Sequence, residues 1–328
     1  MIRIETIQSQ KLANNPLGDS TKREFPVFIP DDHNEHPDHH YPVIYALAPF
    51  TGTGKSFLNY DFYQPNLPQR VERLIAAGKM PPVIVVMVDS MTALGGNQFV
   101  DSSAVGAWAK HITEELVPYV EEHFPVMKGR EHRGVFGASS GGYGALMMGL
   151  EHSDTFTAIA SHAGDCCFEY CYEPDFPAAF SALQRVGGLE QWFKTWRNYP
   201  TLPGWAFPLL SVIALSASYS PNASAPFGFD LPFDIVTGAK RHDVLKRWAS
   251  RDPLNLVERH INDLMKLKLI YIDAGNQDEY NLQHGARMLS HTLTKNGIPH
   301  IYETFDGGHR GMSFRYDVSL PLIATAIM

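Results

Sequence analysis

Residues 132–146 read HRGVFGASSGGYGAL. The first half, HRGVFGA (132–138), has the length and character of a short strand. Residues 141–151 read as a helix, so the chain is expected to turn sharply from strand to helix at 137–141. Gly137-Ala138-Ser139-Ser140-Gly141, at that junction, has the form GxSxG. Such a turn crowds the backbone, so the residues two before and two after the serine must be small. The serine then projects its hydroxyl clear of the sheet, and the next amide, Ser140 N–H, is aimed where an oxyanion would form. The helix N-terminus adds partial positive charge. Ser140 is the rival nucleophile, but its frame reads Ala-x-Ser-x-Gly, so Ser139 is the candidate. The plainer alternative is a glycine-rich turn without chemistry, because so short a motif also occurs by chance.

Outward from this junction, apolar runs of strand length alternate with amphipathic stretches. Strands are expected at 24–29 (EFPVFI), 41–48 (YPVIYALA), 82–90 (PVIVVMVDS), 157–161 (TAIAS), 266–274 (KLKLIYIDA) and 300–305 (HIYETF). The run at 82–90 has no polar alternation, as suits a strand buried on both faces of a parallel sheet. Helices are expected at 102–123, where Val105, Trp108, Ile112, Leu116 and Val120 recur at three- and four-residue spacing, at 281–297, closed by Gly297, and at 318–327. This alternation predicts an α/β fold: a mostly parallel central sheet with helices on both faces.

A serine hydroxyl is a weak nucleophile at neutral pH and needs a base held by a carboxylate. In this strand-turn-helix setting the chain order is serine, acid, histidine. The strand at 266–274 runs into Gly275-Asn276-Gln277-Asp278-Glu279, and that at 300–305 into Asp306-Gly307-Gly308-His309. His309 is therefore the candidate base and Asp278 its acid. Glu279 is the alternative acid, and Asp273 lies too early, inside its strand. A second oxyanion donor is expected after the strand at 41–48, in Ala48-Pro49-Phe50-Thr51-Gly52. Pro49 has no N–H, so Phe50 N–H is the candidate and Thr51 the second choice.

Composition excludes several classes. The chain has 328 residues and a formal net charge of −8, with no Lys/Arg run of the kind that tracks phosphates, so nucleic acid is not an expected partner. No stretch approaches the ~18 consecutive apolar residues of a membrane span. No secretory signal is visible, so a cytoplasmic location is the expectation. The three cysteines, Cys166, Cys167 and Cys171, form neither a disulfide framework nor a zinc spacing and are expected as free thiols. A single domain, 1–328, is expected, with an insertion at 168–234. That segment holds 15 aromatic residues and 8 prolines in 67 positions. It reads as a cap or lid, with Trp192, Trp196 and Trp205 as candidate substrate-binding residues; a purely structural subdomain is an equal alternative.

Two competing motifs are present. Pro49-x4-Gly54-Lys55-Ser56 is a phosphate-binding-loop pattern lacking its first glycine, which raises a P-loop-like NTPase as a rival from another class. Proline there removes a phosphate donor, and the following FLNYDFYQPNLPQ is a poor helix. Residues 31–40 (DDHNEHPDHH) are dense in metal-ligating types, but nothing in the sequence makes them converge, so a solvated loop between two strands is the expectation.

The pieces YPVIYALAPFTGTG, PPVIVVMVDS, HRGVFGASSGGYGAL, AGNQDEY and GGHRGMSF together resemble the "putative esterase" branch of the α/β-hydrolases, which includes enterochelin esterases, esterase D (S-formylglutathione hydrolase) and the antigen 85 acyltransferases. The resemblance spans about residues 23–315. It implies Ser139, Asp278 and His309 as a catalytic triad, amides of Phe50 and Ser140 as the oxyanion hole, a small-molecule ester as substrate, and no cofactor or metal. Relatives are often dimers, which makes a homodimer an expectation. Where relatives usually carry His-Gly, this chain has Ala48-Pro49, which changes the entry wall of the hole. Acyl transfer from the same acyl-enzyme is the alternative outcome, and a catalytically inactive binding module the third.

Overall fold

A computed structural model describes residues 1–34, 38–60 and 62–328. Eight strands form the central sheet: β1 (Ile2–Gln8), β2 (Lys22–Phe28), β3 (Val43–Leu47), β4 (Ile84–Val88), β5 (Arg133–Ala138), β6 (Ala158–His162), β7 (Leu269–Gly275) and β8 (Ile301–Phe305). Their order across the sheet is β1-β2-β4-β3-β5-β6-β7-β8. β2 runs antiparallel to both neighbours, and every other pairing is parallel. The expected mostly parallel sheet is thus present. Every residue of β3 and β4 is buried, because helices or loops cover both of their faces.

The principal helices are α1 (Leu67–Ala76), α2 (Val117–His123), α3 (Ser140–Glu151), α4 (Phe176–Val186), α5 (Phe207–Tyr219), α6 (Leu282–Lys295) and α7 (Tyr316–Ala326). α3 lies against the sheet face that carries Ile159. α7 lies on the opposite face, where Tyr316 meets the rings of Phe136 and His162 at 5.0 Å each. Side chains alternate along a strand, so one pair of central strands serves both helices. α3 is buried almost throughout because it threads between the sheet and later helices.

Two elements differ from expectation. β1 is an edge strand, and its outward Ile2 and Ile4 are exposed while Ile7 alone is buried, so its residues carry little burial signature. The helix expected over 102–123 begins only at Trp108, after a two-residue hairpin pairing Asp101–Ser102 with Gly106–Ala107. Its middle, His111–Leu116, is a wider π turn. Pro118 follows, and a proline inside a helix clashes with the carbonyl four residues back, which a widened turn relieves.

The phosphate-loop motif is spent structurally. Gly54–Leu58 is a single 3-10 turn in which Thr53 and Ser56 cap each other, while Lys55 Nζ sits 2.5 Å from Glu24 Oε2. A Cβ on Gly54 would lie 2.2 Å from the Met87 carbonyl, so the turn is pressed onto β4 rather than open around an anion. In the 31–40 loop Asp31 pairs with the N-terminal amine at 2.9 Å, and His39 stacks on Tyr41 at 4.6 Å. Glu35 and His36 lie outside the described residues. Among the described residues no three His, Cys, Asp or Glu side chains converge as metal ligands. No described helix is long and apolar enough to cross a membrane.

Candidate active site

Ser139 stands between β5 and α3 with φ 56° and ψ −126°, a region an L-residue adopts only under constraint. Two backbone bonds impose it. Ser139 N–H donates to the His162 carbonyl at 2.9 Å, and the Ser139 carbonyl accepts from Tyr143 N–H at 2.8 Å. The flanking glycines are sterically required. A Cβ on Gly137 would lie 2.3 Å from Gly141, and one on Gly141 would lie 2.2 Å from the Leu47 carbonyl. The small residues of GxSxG therefore make room for the turn itself.

The loops after β7 and β8 meet beside this turn. His309 Nδ1 is 2.8 Å from Asp278 Oδ2, and the Asp278 side chain is fully buried. Asp278 Oδ1 accepts from Tyr280 N–H at 2.9 Å, and the Tyr280 ring packs edge-on to the imidazole at 4.8 Å. Glu279, the alternative acid, does not reach the ring; its Oε2 accepts the main-chain N–H of His309 at 2.7 Å. A carboxylate on Nδ1 fixes the proton there and leaves Nε2 as the free acceptor. Ser139 and His309 line one cavity of about 290 Å³.

Two amides border the same cavity. Ser140 N–H, at the first position of α3, and Phe50 N–H take no hydrogen-bond partner among the described residues. Thr51 N–H, the second choice, is occupied by the Gly95 carbonyl at 2.8 Å. Gly52 N–H closes back on Pro49 at 2.8 Å, which holds the turn on which Phe50 sits.

The 168–234 segment reaches the cavity through residues other than the three tryptophans. Cys171, Tyr172 and Asp175 contribute from its start, and Phe207, Ser211 and Leu215 from α5. Trp192 is fully buried and stacks on Trp196 at 5.9 Å; Trp205 lies under the Arg185 guanidinium at 4.2 Å. Trp196 borders a separate cavity with Phe193, Arg197 and Phe227. None of the three lines the Ser139 cavity. Residue count marked the segment as aromatic, but only packing decides which rings face inward.

The sequence reading also missed a buried polar chain under the turn. Gln98 Nε2 donates to Ser140 Oγ at 3.2 Å, and Ser140 Oγ donates to Asp165 Oδ2 at 3.3 Å. Tyr172 OH donates to the same carboxylate oxygen at 2.7 Å. Burial pushes the Asp165 carboxyl up to about 6, although the Tyr172 hydroxyl and His309 pull against that rise. Asp165 stands in AGDCC, a loop with no motif to mark it.

A second Ser-His-Asp set lies below the sheet's end. His162 Nδ1 is 2.8 Å from Asp273 Oδ1, and Nε2 is 2.8 Å from Ser319 Oγ. All three side chains are buried, with His162, Asp273 and Ser319 at 0% exposure, so no substrate can reach them. Arg315 Nε joins Asp273 Oδ2 at 2.8 Å. Burial favours a protonated Asp273, but His162 and Arg315 outweigh it and hold the carboxyl below its usual range. The cluster clamps β6, β7 and α7 together, and its His162 carbonyl is the one that holds Ser139 N–H.

Residues 19–321 match the family described as Putative esterase. The chain belongs to that family, and its architecture is the α/β-hydrolase fold. A ferulic acid esterase structure superposes with a TM-score of 0.65 at 18% identity, covering 99% of this chain and 98% of that one. The S-formylglutathione hydrolase of Agrobacterium tumefaciens gives 0.61 at 17% identity, covering 100% and 96%. A fluorophosphonate-binding serine hydrolase of Staphylococcus aureus gives 0.61 at 14% identity, covering 100% and 98%. An esterase of Mycobacterium tuberculosis strain H37Rv is 27% identical over 306 residues, which cover 89% of this chain and 54% of that protein. The chain thus spans about half the length of the curated relatives it matches.

Proposed function

We propose that this chain is a serine hydrolase that cleaves carboxylic esters through an acyl-enzyme on Ser139. The observation that carries the reading is the Asp278–His309 contact of 2.8 Å at the cavity that Ser139 lines. Ser139 Oγ attacks the ester carbonyl while His309 Nε2 takes the hydroxyl proton. The carbonyl oxygen becomes an oxyanion facing the amides of Phe50 and Ser140, each such donor being worth about 3 kcal/mol. Collapse breaks the ester C–O bond, and His309 returns the proton to the leaving alkoxide. Water then attacks the acyl-enzyme, giving up its proton to His309, and the acid leaves with Ser139 Oγ reprotonated. Asp278 keeps the imidazole in the productive tautomer and stabilises the imidazolium.

The names of the relatives support ester and thioester chemistry, and the small cavity supports a short acyl or compact aryl group. The purified protein is expected to take up one fluorophosphonate per chain, with the adduct on the peptide holding Ser139. It should turn over p-nitrophenyl acetate and butyrate far faster than the palmitate. Intact-protein mass spectrometry and release of p-nitrophenol check both. Absence of an adduct with no ester turnover would overturn the reading.

A further inference from the structure

The Ser139 cavity carries more negative charge than ester hydrolysis calls for. Asp278, engaged by His309, lies outside its lining, and the cavity itself is lined by Asp165 and Asp175. Asp165 is 5% exposed; Oδ2 takes the two hydroxyls already described, and Oδ1 has no partner among the described residues. Asp175 is half-buried, and neither of its carboxylate oxygens meets a donor among the described residues. Partial burial pushes its carboxyl upward with no counter-charge to offset it. Gln98, 2% exposed, lines the same cavity. Ser140 has one proton and spends it on Asp165, so Gln98 must offer its NH₂ to Ser140. That orientation leaves Gln98 Oε1 as a buried acceptor without a donor. The basic side chains at the cavity are His309, engaged by Asp278, and Arg310, which is exposed. Unmatched carboxylates beside a developing oxyanion oppose the reaction, because like charges repel strongly where water is excluded. A positive group brought by the substrate would both satisfy the acceptors and remove that opposition.

We propose that this cavity is a cation-recognition subsite, in which the carboxylates of Asp165 and Asp175 select esters that bear an ammonium group and the buried, unpaired Gln98 amide oxygen adds its partial negative charge. The proposal deepens the serine-hydrolase reading and rests on it for the word ester, but the cation preference belongs to the cavity and is measured without turnover. Phe207, Tyr172 and Tyr280 also line it, aromatic residues of the type that attract an ammonium group.

The test compares benzylammonium with benzyl alcohol, two probes of similar shape, by calorimetric titration of the full chain. The wild type is expected to bind the ammonium at least about 10-fold more tightly, the gain typical of a hydrogen bond between charged partners. Asp175→Asn and Asp165→Asn should each collapse that ratio towards one. If only one does, it is the anchor, and the subsite stands. Equal affinities in the wild type, or a ratio unmoved in both variants, would overturn the proposal. Asp175 is partly exposed and its replacement should fold normally; should Asp165→Asn melt early, Asp175→Asn decides alone. Fluorophosphonate labelling in parallel separates the two claims. A labelled protein without the preference sinks the subsite, and a protein that shows the preference but takes no label and turns over no ester sinks the hydrolase. In a labelled protein, acetate esters of amino alcohols and aminoacyl esters of neutral alcohols then tell which side of the ester bond carries the charge, and faster turnover of either over its neutral isostere supports the subsite.

Discussion

Ser139→Ala is expected to lose at least ~10³-fold in kcat/KM for p-nitrophenyl acetate while folding as the wild type does. The loss follows from chemistry rather than packing. Only a hydroxyl oxygen is removed, and Ser139 caps nothing with its side chain. The residual rate would reflect binding and the two free amides, which the substitution leaves in place. The same variant should show no fluorophosphonate adduct by mass spectrometry. An adduct that persisted would move the nucleophile to Ser140, whose hydroxyl is engaged between Gln98 and Asp165 and is poorly placed to attack. Thermal melting and circular dichroism beside the kinetics distinguish lost chemistry from lost structure.

Asp278→Asn is expected to be at least as damaging, with kcat down by as much as ~10⁴-fold. An asparagine oriented to donate to Nδ1 would force the proton onto Nε2, where the imidazole can no longer accept from Ser139. Asparagine is nearly isosteric, so KM should change much less than kcat. Glu279→Gln provides the contrast. Glu279 touches the His309 backbone and not the ring, so the amide variant keeps an oxygen acceptor for the same N–H and should lose less than about 10-fold. Steady-state kinetics of the two variants settle which carboxylate serves the imidazole. A mild Asp278→Asn with a severe Glu279→Gln would reverse the assignment.

How much of this was legible in the sequence differed with the range of the interaction involved. The strand-turn-helix at 132–151 was readable because its demands are local: two glycines at fixed offsets and a switch from strand to helix. The meeting of Asp278 and His309 followed from chain order and the loops after the last two strands, which the parallel topology places side by side. β1 was not anticipated, since an edge strand shows little burial. The π turn at 111–116 was not either, because apolar spacing cannot tell a regular helix from one widened ahead of Pro118. The cavity wall was the least legible part. Trp192, Trp196 and Trp205 were conspicuous by type, yet Phe207 and Leu215 face Ser139, and that depends on how α5 is rotated against the sheet. Asp165 carried no signal at all: its meaning comes from Ser140, Gln98 and Tyr172, which approach it from 25, 67 and 7 residues away.

Given the role proposed for Ser139, its left-handed backbone sets a limit on how stable the active form can be. Glycine occupies that conformation without penalty, whereas a serine held there costs about 1–3 kcal/mol. Glycine loses more freedom on folding, about 0.5–1 kcal/mol, so Ser139→Gly should gain about 1 kcal/mol net and melt about 2 °C above the wild type in calorimetry while doing no chemistry. A population released from the need for this reaction would therefore find inactivity on an uphill path in robustness, one codon change away from a sturdier, silent protein.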